Sequence, residues 1–573
     1  MKFFRFVSTL IFTFCFFIFS AQTIFANTKV QIPQDADFWS DFPHEDLADF
    51  LVENMTNDEL LAQILMFGWA GAEPSELLMQ WIKLRSLGSV KVYGWSTNNV
   101  KDVAKSVIQV QEQSLKGRFK IPLYVATDQE GGWIRHIKGR TSDTPGNLAI
   151  GASGLALDAY YSGYYIAKEL RAMGINMNFA PTVDIYTNLK SSVIGPRAFS
   201  SDPLETGILG ASYSKGVIDA GVIPTAKHFP GHGDTSDDSH GHLPEIQIDL
   251  KTLQNRELLP FKFLIKEKIP AIMSGHLSFP KITKDGEPAT LSKYFLTKML
   301  RQDLGYEGLI ITDDMMMNGA TLYAGSLSKA VRMAIEAGND IVISSTTANL
   351  YDSLWTTNIS LMERSPEFKQ TVKNAARRVI LSKLQYFKGE NFVPIYPDLE
   401  NIESLIPDPD GTKFFLNQAC KSITAFNKKP SEYKIQNPSE QKILIAGQYQ
   451  DFLNEGVKRF PNAKTLRYNY NMGSNETTWT GDKIYSEGLN YDTVIIGCAN
   501  DKAATVAKRV NQLTQKGINV IIISIMSPVY FMQDDWESSI LLCYSYSPFS
   551  FQASFSVLAG DFEPAGNLPL STN

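Results

Sequence analysis

The chain has 573 residues, which is too many for one compact hydrophobic core, so at least two domains are expected. Hydrophobic residues make up 44% of the sequence and charged residues 20%, a composition that excludes an intrinsically disordered protein. A formal net charge of -6 and the lack of a basic run give no reason to expect nucleic-acid binding.

The amino terminus has the pattern of a secretory signal peptide. Lys2 and Arg5 precede a largely apolar, uncharged run over residues 6–19, and small and polar residues follow up to Ala26. We therefore predict removal of residues 1–26 and a mature protein that is periplasmic or secreted. An uncleaved membrane anchor is the alternative, although the apolar run is short for a span. Membrane contact is expected through this segment alone.

From Pro43 to about Ser345 the sequence repeats a pattern of strand, loop and helix. The eight predicted strands are Ala62–Trp69, Ser89–Tyr93, Pro122–Asp128, Asn176–Asp184, Val222–His228, Ala271–His276, Leu309–Asp313 and Asp340–Ser344. The predicted helices between them include Val100–Gln113, Leu155–Met173, Asp202–Ala220, Leu250–Glu267 and Ser326–Ala337. Strands that alternate with helices indicate a parallel sheet, and eight such units predict a closed (β/α)8 barrel. An open doubly wound sheet is the rival.

Polar residues at the strand ends favour the barrel. Five predicted strands end in Asp128, Asp184, Lys227 with His228, His276, and Asp313. In a barrel these ends converge on one mouth, whereas an open sheet would spread them along an edge. The shared register therefore predicts a barrel with a site at its mouth.

The densest set of titratable side chains follows the fifth predicted strand. Residues 227–242 contain four of the seven histidines, together with three aspartates. Burying so many titratable side chains in an ordinary core would cost them their solvation free energy, so this concentration indicates a functional site. Pro230 lacks a backbone donor, and Gly231 and Gly233 allow conformations that other residues avoid, so the segment is predicted to be a loop.

The predicted barrel domain covers 27–388 and closes with a helix at Pro366–Gln385. Residues 389–412 are rich in Pro, Asp and Glu and are predicted to be a linker. A smaller α/β domain is predicted over 413–573, with the segments Lys442–Ala446, Thr493–Cys498, Asn519–Ile525 and Ile540–Tyr544 as strands and Lys502–Lys516 as a helix. It contains no histidine and no catalytic constellation, so its predicted role is packing or the shaping of a substrate groove.

Three cysteines remain after the predicted cleavage, namely Cys420, Cys498 and Cys543. An odd, sparse set gives no disulfide framework, so free thiols are expected, with one pair as the alternative.

The most specific motif in the sequence is the run from Lys227 to Thr235 followed by Asp238-Ser239-His240. The supporting motifs are Asp128-Gln129-Glu130-Gly131-Gly132, Ala180-Pro181-Thr182-Val183-Asp184, Val193 to Phe199, Met273-Ser274-Gly275-His276, Ile311-Thr312-Asp313-Asp314 and Pro564 to Pro569. Together these motifs resemble the family 3 glycoside hydrolases, specifically their β-N-acetylhexosaminidase branch of the bacterial peptidoglycan-recycling type. The resemblance implies a carbohydrate substrate and a hydrolase that needs no cofactor and no metal.

The resemblance implies Asp313 as the nucleophile of a retaining mechanism, with His240 as general acid/base and Asp238 as its partner. A histidine titrates near neutral pH, and an acidic partner fixes its tautomer and supports its protonated form. Asp314 competes with Asp313 on chemistry alone, although adjacent strand residues point to opposite sides and a helix N-cap would explain it. The implied sugar-binding residues are Asp128, Arg197, Lys227 and His228.

Two further histidines are open to interpretation. His232 is predicted to hold the loop together, and His276 either lines the pocket or satisfies a buried backbone group.

One departure from the family pattern stands after the Asp128 motif. There, the sequence has Trp133-Ile134-Arg135-His136 instead of an Arg-Val-x-Arg run, so His136 occupies the place of a sugar-binding arginine. Arg135 lies one position before that place.

Three other functions compete with this interpretation. A metal hydrolase would use ligands from the loop, namely His228, His232, Asp234, Asp238, His240 and His242. Against it, a histidine pair spaced i,i+4 shares a face only on a helix, which Pro230 and Gly231 prevent. The second rival is a non-catalytic sugar-binding barrel, and the third is β-glucosidase or glycoside phosphorylase activity within the same family. The oligomeric state is not predicted.

Overall fold

A computed structural model describes residues 31–69, 71, 73–94, 97–191, 193–236, 241–283 and 285–571. The predicted signal peptide, residues 1–26, lies outside these ranges, and so do Asp238 and His240. No helix in the described ranges is long and apolar enough to cross a membrane. Cys420, Cys498 and Cys543 are free thiols, as predicted.

All eight predicted barrel strands are present. They span Leu65–Trp69, Ser89–Val92, Tyr124–Thr127, Met177–Asn178, Ile223–Phe229, Ala271–Ser274, Leu309–Thr312 and Val342–Ser344. Each is parallel to its neighbours, and the eighth strand pairs with the first. A parallel bridge between Ile311 and Ile341 joins the two remaining edges, which excludes the open doubly wound sheet.

The strands are buried along almost their whole length because helices cover the barrel. These helices are His44–Asn54, Asn57–Gln63, Glu76–Arg85, Val100–Leu115, Asn147–Ser153, Ala156–Ala172, Pro203–Asp219, Leu250–Thr252, Leu258–Lys266, Asn318–Ala324, Leu327–Ala337, Ser353–Arg364 and Pro366–Phe387, with π-helical segments at Leu253–Glu257 and Tyr294–Asp303. Their sequence signals are local. Asp202, for example, caps the helix Pro203–Asp219 by accepting a hydrogen bond from the Glu205 N–H at 2.8 Å.

Two local predictions within the barrel need correction. The first strand starts at Leu65 instead of Ala62, because Asn57–Gln63 forms a capped helix before it. The predicted helix Leu250–Glu267 is interrupted by the π-helical segment Leu253–Glu257. That segment lies one turn before Pro260, which has no N–H to donate.

The segment that joins the two domains also carries more regular structure than predicted. Ile402–Leu405 forms a short helix within the predicted linker. The helix Pro409–Ser422 starts before the predicted linker ends, with Pro409 at its first turn, where the missing N–H costs nothing.

The second domain is a six-stranded sheet flanked by helices. Its strands in spatial order are Lys464–Arg467, Ile443–Gly447, Thr493–Cys498, Asn519–Ser524, Ser539–Leu542 and Thr424–Ala425. The first five are parallel, in the order 2-1-3-4-5 of the flavodoxin-like arrangement, and the last is antiparallel. Its helices are Gln450–Arg459, Ser474–Gly488, Asp501–Asn511 and Pro548–Ala559, with a 3-10 segment at Gln512–Lys516.

The two sheets are held together by shared packing and hydrogen bonds. One apolar cluster contains Leu148 and Tyr186 of the barrel with Ile496 and Tyr544 of the second domain. The Tyr186 hydroxyl lies 3.1 Å from the Ser527 hydroxyl. The second domain therefore rests on loops at the carboxyl ends of the barrel strands, where the predicted site lies.

Candidate active site

Buried ion pairs link the third and fifth strands at the barrel mouth. The Lys227 Nζ lies 2.6 Å from Asp128 Oδ1 and 2.7 Å from Glu130 Oε1. The Lys91 Nζ lies 2.8 Å from Asp128 Oδ2. Arg197 makes a bidentate pair with Glu130, at 2.9 Å from Nε and 2.8 Å from Nη2. Two carboxylates thus face three cations in this ion-pair cluster.

The cluster keeps both carboxylates ionised. Burial alone would raise their pKa values, but the nearby cations reverse this effect. Lys227 and Lys91 hold the pKa of Asp128 well below its usual value, and Arg197 with Lys227 lowers the pKa of Glu130 to about 2. Asp128 and Lys227, both predicted from the sequence, are therefore brought into direct contact as a preorganised pair of charges.

Asp184 and His228 form a second pair at the mouth. The His228 Nδ1 lies 2.7 Å from Asp184 Oδ2, while Asp184 Oδ1 accepts the backbone N–H groups of His228 at 3.2 Å and His232 at 2.7 Å. Although burial opposes it, the His228 ring helps to hold the pKa of Asp184 below its usual value. The His228 Nε2 lies 3.5 Å from Arg197 Nη2, a donor, so this geometry favours the tautomer with the proton on Nδ1.

The loop after the fifth strand is fixed by close backbone approach. A Cβ atom at Gly233 would lie 1.6 Å from the Ile185 carbonyl oxygen, so only glycine fits there. The His232 ring is buried, and burial together with the neighbouring His228 lowers its pKa to about 4. His232 is thus neutral at pH 7 and contacts Asp184 through its backbone, in line with the predicted role of holding the loop.

The seventh strand ends in two aspartates with different surroundings. The Asp314 carboxylate accepts three hydrogen bonds, each at 3.0 Å, from the Tyr93 hydroxyl and the N–H groups of Met316 and Ser345. This arrangement ties the seventh strand to the second and eighth strands, and the nearest following helix does not begin until Asn318. Asp314 therefore fixes a turn and does not cap a helix.

Asp313 is held mainly through its backbone. Its N–H donates to the Ser274 carbonyl at 2.9 Å, and its Oδ1 accepts the Asp314 N–H at 2.8 Å. Burial would raise the pKa of the Asp313 carboxyl, but the electrostatic influence of His228 and His276 and the hydrogen bond from the Asp314 N–H lower it to about 2. The side chain is half-buried, so an ionised carboxylate at the mouth retains acceptor sites for another group.

His276 lies beside this pair and satisfies buried polar groups. Its Nε2 lies 3.0 Å from the Asp314 carbonyl oxygen and its Nδ1 lies 3.0 Å from the Thr290 hydroxyl. Because a carbonyl only accepts, the Nε2 atom carries a proton. Of the two interpretations predicted for His276, the contacts favour the one in which it satisfies a backbone group.

The departure at residues 133–136 has a clear structural outcome. The Arg135 guanidinium donates to the Thr141 carbonyl at 2.6 Å and lies 3.3 Å from Asp143, away from Asp128. The His136 Nδ1 instead lies 3.6 Å from Asp128 Oδ2, and burial lowers the pKa of this imidazole. Arg135 therefore does not take the place of the missing arginine, and a neutral ring stands beside Asp128.

Sequence reasoning missed two members of the ion-pair cluster, Lys91 and Glu130. Lys91 has a local signal, because a lysine between Val90 and Val92 in a buried strand requires an acidic partner. Glu130 lies within a quoted motif, but nothing in the sequence predicts the hairpin of Gln129–Gly131 with Ile134–Arg135 that directs it towards Arg197. Asp238 and His240 lie outside the described residues, so their predicted roles remain predictions.

Within the ranges that the structure describes, no three His, Cys, Asp or Glu side chains are grouped so that they could hold a metal ion. The contacts of His228 explain why this residue, a ligand in the rival metal-hydrolase interpretation, has no nitrogen left for a metal. His228 gives its Nδ1 to Asp184, and its Nε2 faces the Arg197 guanidinium.

The fold and site define a (β/α)8-barrel enzyme with its polar residues at the carboxyl ends of the strands. The glycosyl hydrolase family 3 N-terminal domain model matches residues 56–381, more than half of the chain. The chain therefore belongs to glycoside hydrolase family 3, which confirms the resemblance seen in the sequence.

Individual relatives agree with this assignment. The chain is 34% identical to "Beta-hexosaminidase A" of Pseudoalteromonas piscicida over 286 residues, 47% of this chain and 47% of that protein. It is 35% identical to "Beta-hexosaminidase" of Thiobacillus denitrificans over 254 residues, 43% of this chain and 69% of that protein. Less than half of the first relative's length is thus matched.

Among solved structures, a glycoside hydrolase family 3 β-N-acetylglucosaminidase from Paenibacillus sp. str. FPU-7 superimposes with a TM-score of 0.80 at 26% identity. The superposition covers 90% of this chain and 99% of that one, so the likeness extends over both domains.

Proposed function

We propose that the protein is a retaining β-N-acetylhexosaminidase that releases terminal β-linked N-acetylglucosamine from peptidoglycan fragments or related glycans. The observation that carries the proposal is the contrast between the two aspartates after the seventh strand. Among the residues that the structure describes, Asp313 presents an ionised, half-buried carboxylate with one hydrogen bond from its own neighbour, whereas the carboxylate of Asp314 is occupied by three donors. The relatives named β-hexosaminidase and β-N-acetylglucosaminidase support the choice of sugar, and the predicted signal peptide supports a reaction outside the cytoplasm.

In the proposed mechanism the Asp313 carboxylate attacks the anomeric carbon and forms a covalent glycosyl-enzyme intermediate. The imidazolium of His240, supported by Asp238, donates its proton to the departing glycosidic oxygen. His240 then accepts a proton from water, which attacks the same carbon and restores the free Asp313 carboxylate. Two displacements retain the β configuration.

The remaining residues would bind the sugar. Asp128 accepts hydrogen bonds from ring hydroxyls, Lys227 and Arg197 supply donors, and the unprotonated Nε2 of His228 supplies a further acceptor. Since the ion pairs already fix Asp128 and Lys227 before substrate arrives, little reorganisation is needed on binding.

The test compares hydrolysis of p-nitrophenyl β-N-acetylglucosaminide and the β-glucoside by the unmodified protein, Asp313→Gly and Asp314→Asn. We expect the acetamido sugar to be preferred, Asp313→Gly to be inactive, and Asp314→Asn to retain measurable turnover. Azide should rescue Asp313→Gly and give the α-glycosyl azide, because it attacks from the face that the carboxylate has left. Rescue of Asp314→Asn instead, or equal turnover of both sugars, would contradict the proposal.

His240→Ala tests the acid/base role. We expect a loss of about 10²–10⁴-fold on substrates whose leaving group needs a proton and a smaller loss on p-nitrophenyl glycosides. Two further arms address the competing functions. Sugar 1-phosphate formed in phosphate buffer would indicate a phosphorylase, and activity lost to a chelator and restored by zinc would indicate a metal hydrolase.

A further inference from the structure

A buried acid, Glu257, packs against the loop that follows the fifth strand. The residue is 1% exposed and ends the π-helical segment Leu253–Glu257. A Cβ atom placed on Gly231 would lie 2.8 Å from the Glu257 Cβ and 2.9 Å from its Oε2, so the acid contacts the loop backbone directly. Burial raises the pKa of the Glu257 carboxyl to about 7, although Arg256 acts in the opposite direction. An acid that is costly to bury calls for a reason other than stability.

Arg256 joins this acid to a side chain of the loop. Its Nε donates to Glu257 Oε1 at 2.6 Å, and its Nη2 donates to Asp234 Oδ2 at 2.5 Å. One guanidinium thus bridges an acid in a helix and an acid on the loop, a geometry that the rigid fork of arginine donors favours. Since Glu257 holds the Nε edge, Arg256 presents another donor to Asp234 in a defined orientation.

The helix is irregular at the two residues that contact the loop. In a regular α-helix with 3.6 residues per turn, neighbouring side chains point about 100° apart. Arg256 and Glu257 nevertheless contact each other, and they reach the same loop at Asp234 and Gly231, respectively. π-helical turns are rare and are frequently found at functional sites. The irregular turn therefore coincides with the contact to the loop.

The ion pair at Asp234 holds the loop in a different way from the contact before it. There, Asp184 accepts the backbone N–H of His232 at 2.7 Å, so the main chain is held. At Asp234 a side chain is held instead, through Arg256. Asp238 and His240 follow shortly in the sequence. A shift of Asp234 would therefore change the starting point of the segment that leads to them.

We propose that Arg256 is a positioning residue for the acid/base step: held by Glu257, it fixes Asp234 at the start of the segment that leads to Asp238 and His240. The inference rests on the proposed function and adds to it a residue that acts through another residue. The side chains of Arg256 and Asp234 are 30% and 31% exposed, and an ion pair with such exposure contributes little to stability. The pair can therefore be broken without unfolding the protein.

The experiment compares kcat/KM for methyl β-N-acetylglucosaminide, whose leaving group needs a proton, and for the p-nitrophenyl glycoside, whose leaving group departs without one. The variants are Arg256→Met, Arg256→Lys and Asp234→Asn, each made alone and combined with His240→Ala. Asp234→Asn keeps the size of its side chain, so the test does not depend on the folding of Arg256→Met. Arg377→Met is the matched control, because the Arg377 side chain is 34% exposed and likewise pairs with two carboxylates.

We expect Arg256→Met and Asp234→Asn each to lose about tenfold more on the methyl glycoside than on the p-nitrophenyl glycoside, which is part of the full contribution of a general acid. Arg256→Lys should lose less, since it keeps a cation for Asp234. In the His240→Ala background neither change should alter the ratio of the two substrates further. Arg377→Met should leave that ratio as it is in the unmodified protein.

Equal losses on both substrates would overturn the inference, because Arg256 would then act on folding or on sugar binding in general. An unchanged ratio in both Arg256→Met and Asp234→Asn, or a tenfold change that persists in the His240→Ala background, would overturn it as well. These results would leave the proposed function intact. If His240→Ala by itself affects the two substrates equally, the proposed acid/base role fails, and the inference fails with it.

Discussion

Lys383 offers a test of the barrel's energetics that is independent of catalysis. This lysine lies fully buried in the helix Pro366–Phe387, where its Nζ donates to the Gly88 carbonyl at 2.7 Å and to Gln63 Oε1 at 3.1 Å. The described residues give its ammonium group no acidic partner. Burial lowers the pKa of Lys383 to about 7.

The energetic cost of burying the charged form of Lys383 follows from this pKa shift. Lowering the pKa from 10.5 to about 7 corresponds to about 5 kcal/mol, an upper bound on the cost of the buried charge. Between these two values the unfolded chain binds more protons than the folded one, so the free energy of unfolding should rise with pH from about 7 to 10.5 and level off below about 7. A neutral amine keeps two N–H groups, one for each acceptor, so both hydrogen bonds survive deprotonation.

Urea unfolding of the unmodified protein and of Lys383→Met between pH 6.5 and 9.5 measures this effect. We expect Lys383→Met to be the more stable protein at the lower pH values, with the difference shrinking as the pH rises. Lys383→Arg is the control, since it keeps a charge at every pH and should be the least stable. Parallel stability profiles for the unmodified protein and Lys383→Met would refute the reasoning, because they would mean that Lys383 titrates normally.

Three further changes follow from the site. Glu130→Gln should destabilise the protein by about 3 kcal/mol at pH 7, as measured by urea unfolding, because the pKa of about 2 reflects its pairing with two cations. That difference should shrink as the pH falls below about 4.5 towards 2, where the unmodified carboxyl loses its charge. Asp314→Asn should lower the free energy of unfolding by about 1 kcal/mol, because part of its hydrogen bonding is lost. Complete loss of turnover in this variant would contradict the reasoning. Gly233→Ala should lower kcat/KM by displacing the loop from Ile185, whereas Gly473→Ala, with open space around its Cβ position, should change nothing measurable.

The barrel was predictable because its signals are local. Each strand is a short apolar run, and the polar residue at its end marks the carboxyl edge, so the order of elements and the location of the mouth follow from sequence alone. The exposed strand Lys464–Arg467 of the second domain was missed for the same reason, since a charged edge strand carries no apolar pattern. The break in the predicted helix Leu250–Glu267 was missed because the helical period does not register the missing N–H of Pro260.

The site was only partly predictable, because pairing between distant strands has no local signal. Asp128 and Lys227 are each visible in the sequence, but the contact between them forms across the fourth strand, between side chains whose pairing no local pattern records. Likewise, the sequence predicts Asp313 as the nucleophile but leaves Asp314 as a competitor on chemistry alone. The three donors that converge on Asp314 are the structural observation that distinguishes a carboxylate that fixes a turn from the more available one of Asp313.

The distribution of charge at the mouth explains how one carboxylate can stay both ionised and available. The ion-pair cluster assigns Lys91, Lys227 and Arg197 to Asp128 and Glu130, so these cations are already paired. Asp313 lies near enough for His228, His276 and Lys227 to lower its pKa, yet none of them is among its hydrogen-bond donors. The proposed role of Asp313 as nucleophile requires this combination, because a direct ion pair would lower its reactivity while an unsupported buried carboxyl would be protonated. A substitution that weakens the ion-pair cluster should therefore also lower the reactivity of Asp313, because the released cations would pair with its carboxylate.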